Sequence, residues 1–147
     1  MDNIQLSYLD TIYNGVIIVD KDLNVVFWNK WLEFKTYIKR EEIIGKSLVD
    51  RFDNLDEDEL KRKVKFVINF KKQSFYTVEP HKYLISIKLN NITSRAFEIM
   101  RQNIILAPFN YENSEKNYVT IHTYDVTELE ATKIKLQESL DEINIQN

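Results

Sequence analysis

Short runs of β-branched and aromatic residues divide the chain into predicted strands. Residues 16–19 and 25–28 are two such runs, and a short connection at residues 20–24 separates them. This spacing predicts an antiparallel hairpin. The later runs that fit strands lie at residues 75–78, 83–89, 97–109 and 118–126.

Apolar positions with helical spacing predict helices between and around these strands. Residues 1–14 fit a short amphipathic helix, and Asn29 is a candidate N-cap for a helix over residues 30–35. A shorter helical turn at residues 40–44 is followed by Gly45. Residues 56–72 form the clearest helix, with acidic residues in the first turn. Strands on either side of a helical block predict an α+β domain with an antiparallel sheet.

The last 21 residues predict a helix that continues beyond the final strand. Thr127 is a candidate N-cap, and Glu130 would complete a capping box with it. Apolar side chains recur with the heptad spacing of a parallel coiled coil, which predicts pairing with a second copy. The predicted seam contains Leu129, Leu136, Leu140 and Ile143 as its main apolar members, together with Val126, Lys133 and Asn147.

A second helix is expected to contribute to the predicted dimer interface, and a different position of the exit helix is the alternative to a dimer. Three heptads are marginal by themselves, so the N-terminal helix is expected to contribute through Leu6 and Leu9. The alternative is that Leu136 and Ile143 fold back on the sheet. These elements divide the chain into an N-terminal helical cap (1–14), a central domain (15–126) and an exit helix (127–147).

Composition narrows the classes of function. The chain has 147 residues, 44% of them hydrophobic, and only 2 Gly and 2 Pro, which predicts one ordered domain without a Gly-rich phosphate loop. A net charge of −3 gives no reason to expect nucleic acid. No apolar run is long enough to span a membrane, so the chain is expected to be cytoplasmic. The absence of cysteine excludes disulfides, thiolate metal sites and flavin adducts through cysteine.

Three motifs, in this order and spacing, resemble those of PAS domains. They are GVIIVDKDLNVVFWNK at residues 15–30, REEIIGKSLVDRF at 40–52 and YDVTELE at 124–130. The resemblance implies a five-stranded antiparallel sheet with helices on one face and a ligand pocket between them. It also implies a sensory module of a bacterial signalling protein, in which Asp125 and Thr127 act at the junction between the last strand and the exit helix and relay a signal to a C-terminal output domain. The pairing of WNKW at residues 28–31 with MRQNIILAPF at residues 100–109 resembles a subgroup often found upstream of bacterial diguanylate cyclase or histidine kinase domains.

The ligand of such a pocket stays open. Oxygen-sensing haem PAS domains bind iron through a histidine on the long helix, and residues 56–72 contain none. His81 and His122 are expected to be ordinary hydrogen-bonded or surface histidines, and no metal site is predicted. A chain without a tightly bound cofactor is the first expectation, and an unidentified small molecule is the second. Flavin without a cysteine remains open, with Trp28 or Trp31 stacking on it.

Strand alternation selects the pocket candidates. Met100, Gln102 and Ile104 share the more apolar face of the predicted long strand, so Gln102 would be the polar group that faces the interior. The full predicted lining consists of Ile18, Val26, Trp28, Val64, Ile68, Met100, Gln102 and Ile104.

Two other classes of function are compatible with the sequence. One is a ligand-free dimerisation or scaffold domain with a packed core. The other is a small α+β enzyme that uses Asp20, His81 or His122. Because no nucleophile and base are paired in the sequence, we expect no catalytic residues and no enzymatic activity.

Overall fold

The computed structural model describes residues 4–90, 97–110 and 116–146. The chain begins with helix α1 and a strand hairpin, continues through four helices, and ends with three strands and a long helix. In order, the elements are α1 (Ile4–Leu9), β1 (Gly15–Val19), β2 (Val25–Trp28), α2 (Lys30–Thr36), α3 (Arg40–Ile43), α4 (Leu48–Arg51), α5 (Glu57–Phe70), β3 (Ser74–Tyr76), β4 (Gln102–Phe109), β5 (Tyr118–Asp125) and α6 (Thr127–Gln146).

The five strands form one antiparallel sheet in the order β2-β1-β5-β4-β3. The predicted α+β fold with a five-stranded antiparallel sheet is therefore confirmed. Strand β1, which lies in the first sequence motif, and strand β5, which leads into the last one, are neighbours in the sheet, since Ile17 pairs with Ile121. The exit helix thus starts from a strand in the middle of the sheet.

Each face of the sheet has its own apolar cluster. The main core lies between the sheet and α2–α5, and it contains Trp28, Leu60, Val64 and Ile104 among many others. The second cluster is smaller and lies on the opposite face, where Leu6 of α1 packs against Ile18 and Phe27. Helix α1 therefore covers the outer face of the sheet at β1 and β2.

The buried side chain of Asn29 joins the N-terminal segment to the rest of the domain. Its Oδ1 accepts hydrogen bonds from the backbone N–H groups of Val16 (3.2 Å) and Leu32 (3.3 Å). Its Nδ2 donates to the carbonyl oxygens of Leu9 (3.0 Å) and Asn14 (2.9 Å). Asn29 is the predicted N-cap of α2, and it also holds the end of α1 and the start of β1.

Gly15 is required where β1 passes β5. A Cβ atom at this position would lie 2.1 Å from Oγ1 of Thr123, its partner in the register, and 2.9 Å from Cδ2 of Leu32. These approaches are shorter than real Cβ contacts allow. The absence of a side chain at residue 15 therefore permits the close packing of β1, β5 and α2.

The segment between β3 and β4 differs most from the sequence prediction. No regular strand forms over residues 83–89; a single bridge joins Lys88 and Ile99, and β4 begins only at Gln102. The backbone of Leu84 and Ile85 is bonded to side chains, so it has no strand partner. The predicted strands at 75–78 and 97–109 are correspondingly shorter, as β3 and β4. Residues 1–3, 91–96, 111–115 and 147 lie outside the described residues, including the predicted seam residue Asn147.

Candidate functional site

The structure brings most of the predicted lining together on the inner face of the sheet. Trp28, Val64, Met100 and Ile104 belong to the main core, and Ile68 packs against it. Gln102 is buried on the same face of β4, two residues before Ile104. These six predicted residues therefore line one interior.

Ile18 and Val26 do not belong to this interior, and their assignment is corrected. Both lie in the cluster under α1 on the opposite face. In the hairpin, Ile17 pairs with Trp28 and points inward with it, so the next residue, Ile18, points outward. Every residue of β1 is buried, and an apolar strand that is buried on both faces carries no alternation from which its inner face can be read.

Trp28 is held as a core residue. Its Nε1 donates to the carbonyl oxygen of Ile38 at 3.1 Å, and its ring stacks on that of Phe52 with 6.1 Å between the centroids. Because Trp28 is fully buried and its polar atom already has a partner, it stabilises the interior without offering a hydrogen bond to a ligand.

Gln102 bonds to the segment that connects β3 and β4. Its Oε1 accepts from the N–H groups of Leu84 (3.0 Å) and Ile85 (3.1 Å), and its Nε2 donates to the carbonyl oxygen of Ile85 (2.8 Å). The expectation that Gln102 faces the interior agrees with this position. Its partner is the backbone of a neighbouring segment.

A cavity of about 120 Å³ lies beside Gln102 and below the start of the exit helix. It separates the β3–β4 connection from the junction of β5 with α6. Both charges are present in its lining, which includes Glu79 and Glu130 as well as Lys82 and Arg101. The remaining lining residues are Tyr76, Thr77, Val78, Asn103 and Val126.

Tyr76 places a phenol between the main core and this cavity. Its burial raises the pKa of the hydroxyl to about 12, and the nearby carboxylates of Glu59 and Asp56 add to the effect. The phenol therefore stays protonated at neutral pH. It can donate a hydrogen bond but does not act as a base there.

At the junction, Asp125 and Thr127 connect the exit helix to the sheet. Oδ1 of Asp125 accepts from the N–H group of Thr127 at 3.0 Å. Oγ1 of Thr127 accepts from the N–H group of Arg101 at 3.1 Å, and the N–H group of Val126 donates to the carbonyl oxygen of Arg101 at 2.9 Å. The first turn of α6 is therefore bonded through both backbone groups of Arg101.

The predicted capping box with Glu130 is not the role of Thr127. The N–H group of Glu130 donates to the carbonyl oxygen of Val126 at 2.9 Å, within the helix, while the Thr127 hydroxyl oxygen bonds across the sheet to Arg101. The hydroxyl oxygen that would have capped the helix locally instead accepts from a residue that is distant in the sequence. The sequence indicated the right residue but the wrong partner.

Arg101 is a part of the junction that the sequence did not indicate. Its Nη1 donates to the carbonyl oxygen of His81 at 2.9 Å, and its guanidinium lies 4.3 Å from the ring centroid of Phe97. It thus links the β3–β4 connection to the exit helix. Since its bonds to α6 use backbone atoms, no pattern of side chains could have revealed them.

The exit helix projects from the domain with its apolar residues exposed. The predicted seam residues Leu129, Leu136, Leu140 and Ile143 have exposed fractions of 52%, 61%, 46% and 53%. In this structure Leu136 and Ile143 therefore do not fold back on the sheet. Leu6, which was expected to add to a dimer interface, is buried against the sheet instead, and Leu9 packs with it.

The two histidines differ in their surroundings. His81 is exposed at the surface, whereas His122 lies on the outer face of the sheet, paired with Val16 and Ile105 and stacked near Tyr124. Burial lowers the pKa of His122 from its ordinary value of 6.5. The folded domain therefore favours the neutral imidazole.

This shift predicts that His122 makes the fold acid-sensitive. A base whose folded pKa is lowered contributes full stability above its unfolded pKa, and that contribution falls as the pH drops through about 6.5 and below. The difference in free energy of unfolding between the natural chain and His122→Gln should therefore become smaller between pH 8 and pH 5. Urea titrations at each pH measure it. His81→Gln is the control, and an equal pH dependence of both variants would contradict the assignment.

Comparison with known proteins identifies the family. The family model of the PAS fold matches residues 7–104. The chain belongs to the PAS family, whose members are sensory modules without catalytic activity of their own. No curated protein matches it.

Solved structures agree with this membership. A sensory box sensor histidine kinase from Vibrio cholerae is 25% identical with a TM-score of 0.58, over 84% of this chain and 90% of that one. The PAS domain of an HTR-like protein from Haloarcula marismortui is 12% identical with a TM-score of 0.57, over 82% and 93%. A PAS domain from Colwellia psychrerythraea is 14% identical with a TM-score of 0.56, over 84% and 95%. The chain is thus a PAS domain similar to the sensor domain of a histidine kinase. Within the described residues, no helix has the length and apolar character needed to cross a bilayer.

Proposed function

We propose that this PAS domain is the sensory and dimerisation module of a bacterial, cytoplasmic signalling protein. It binds a small molecule in its interior and passes the resulting change through α6 to a C-terminal output domain of the histidine kinase or diguanylate cyclase type. The observation that carries the proposal is the junction, where the start of α6 is hydrogen-bonded to Arg101, the residue directly before β4.

The junction is suited to a relay because its contacts are few and directional. Three hydrogen bonds join Asp125, Val126, Thr127 and Arg101, and none of them depends on the rest of α6. A displacement of Arg101 would therefore change the starting angle of the helix. Gln102 follows Arg101 directly in the chain and faces the interior. A movement of Gln102 on ligand binding would therefore displace its neighbour Arg101, which bonds to the exit helix.

Dimerisation is supported by the unpartnered apolar residues of α6. A helix of 20 residues that projects with several exposed leucine and isoleucine side chains gains stability by burying them against another helix. In the parallel pairing we propose, Leu129, Leu136, Leu140 and Ile143 meet their counterparts of a second copy. Lys133 in the seam favours a two-stranded arrangement.

We expect Thr127→Val to change the output of a chimera in which this chain replaces the sensor of a histidine kinase. The substitution keeps the shape of the side chain but removes the oxygen that accepts from Arg101. Loss of a hydrogen bond worth about 1 kcal/mol shifts a two-state equilibrium roughly fivefold. Steady-state autophosphorylation should change by about that factor.

Thr132→Val is the matched control, because Thr132 lies on the exposed part of the same helix. It should leave the autophosphorylation of the chimera unchanged. Equal effects of the two substitutions, or none from Thr127→Val in a folded chimera, would contradict the relay.

A further inference from the structure

The β3–β4 connection enters the interior in which a ligand would lie. Leu84 and Ile85 are fully buried, and Ile87 is nearly so. They pack in the main core with Trp28 and Val64. We call residues 82–87 the core segment. It is neither helix nor strand, although it lies as deep as the sheet.

Side-chain amides satisfy the backbone of Leu84 and Ile85, in the middle of the core segment. Gln102 bonds to the N–H groups of Leu84 and Ile85 and to the carbonyl oxygen of Ile85. Nδ2 of Asn54 donates to the carbonyl oxygen of Leu84 at 3.0 Å. All four backbone polar groups of these two residues therefore have a partner, as buried backbone groups require. No ladder of the sheet is involved.

We propose that the core segment is an intramolecular occupant of the ligand site and that an incoming small molecule takes its place. The inference rests on the proposed sensory function and deepens it by naming the class of ligand. Gln102 accepts from the N–H groups of Leu84 and Ile85 and donates to the carbonyl oxygen of Ile85, so the groups it binds belong to successive peptide bonds. The matching ligand is an apolar molecule that carries two successive amides flanking an aliphatic residue, so that it offers the N–H of one amide and the C=O of the next.

The arrangement allows the core segment to leave without disrupting the fold. At Leu84 and Ile85 its bonds are made by the side chains of Gln102 and Asn54. At its two ends, Lys82 and Ile87 accept from the backbone N–H groups of Gln102 and Met100. None of these bonds belongs to the pairing of β4 with β5, which stays intact when they break. Segments held in this way open locally at a lower free energy than strands in the centre of a sheet. The cavity of about 120 Å³ beside Gln102 and Lys82 gives an approaching molecule an initial place to bind.

Displacement of the core segment would move residues that are bonded to the exit helix. The N–H group of Gln102 donates to the carbonyl oxygen of Lys82 at 2.8 Å, and Nη1 of Arg101 donates to that of His81 at 2.9 Å. Both bonds join the start of β4 to residues that must move with the core segment. Arg101 in turn holds Val126 and Thr127. The core segment and α6 are therefore connected through Arg101 and Gln102.

The absence of cysteine makes a clean test of accessibility possible. Leu84→Cys reports on the core segment, and Val119→Cys reports on an equally buried position in the centre of the sheet. We expect a thiol reagent to label Leu84→Cys about tenfold or more faster than Val119→Cys, because local opening exposes only the first. Adding Gln102→Leu should accelerate labelling of Leu84→Cys about tenfold again and leave Val119→Cys unchanged.

The capped dipeptide N-acetyl-leucyl-isoleucine methylamide is the probe for the class of ligand. The rate at which Leu84→Cys is labelled should rise with the concentration of the dipeptide, and the rate for Val119→Cys should not change. In the presence of Gln102→Leu, the dipeptide should no longer accelerate labelling of Leu84→Cys. Ile87→Cys replaces Leu84→Cys if that variant does not fold. Labelling of the core segment at the rate of Val119→Cys, or no acceleration by the dipeptide at millimolar concentration, overturns the proposal. Neither outcome affects the tests of the junction or of the dimer, so failure here is distinguishable from failure of the proposed function.

Discussion

Asn29→Asp is expected to lower the free energy of unfolding by about 3 kcal/mol or more. The substitution keeps the size of the side chain and the oxygen that accepts from Val16 and Leu32. It replaces the donor to Leu9 and Asn14 by an oxygen, which then faces two carbonyl oxygens in a fully buried position. A buried charge that loses its donors and meets other acceptors is among the most destabilising changes in a protein.

Urea denaturation followed by circular dichroism measures this loss. Asn103→Asp is the control, since Asn103 is exposed on β4 and a surface substitution of this kind changes stability by about 0.5 kcal/mol or less. If Asn29→Asp unfolded at the same urea concentration as the natural chain, Asn29 would not hold the N-terminal segment in place.

Leu136→Asp is expected to convert the proposed dimer to a monomer at tens of micromolar protein. A charge at the centre of the proposed seam loses the burial of a leucine in each copy, worth roughly 2 kcal/mol per side chain, and brings two carboxylates together. The dimer should therefore weaken about a hundredfold or more. Light scattering compares the intact chain, this variant and a chain truncated after Glu130.

Ile145→Asp is the control for the dimer. Ile145 is an exposed apolar residue of the same helix with an exposed fraction of 84%, and the heptad places it outside the seam. It should leave the dimer intact. A monomeric natural chain, or equal weakening by the two substitutions, would contradict the coiled-coil proposal.

The sequence predicted those parts of the fold that local patterns determine. The β1–β2 hairpin, the capping of α2 by Asn29 and the long helix α5 each follow from residues that are close in the chain. Gln102 was expected to face the interior because alternation along β4 is clear, with Ile104 and Leu106 on the same face.

The parts that were missed depend on contacts between distant residues. The core segment is apolar like a strand, but Gln102 and Asn54 bind its backbone in place of a neighbouring strand, and nothing in residues 83–89 indicates this. The partner of Thr127 was missed for the same reason, because the backbone of Arg101 lies far away in the sequence. Leu6 and Leu9 suited a dimer interface as well as the sheet, and only the fold decides between them.

The Arg101–Thr127 contact sets the position of α6 in the dimer that we propose. Lys135→Cys places a single spin label on the exposed helix of each copy, because the chain has no other cysteine. Pulsed electron spin resonance then measures the distance between the two labels. We predict one narrow distance distribution for the otherwise natural chain and a shifted or broadened one when Thr127→Val is added. No dipolar coupling between copies, or the same distribution with and without Thr127→Val, would contradict the account.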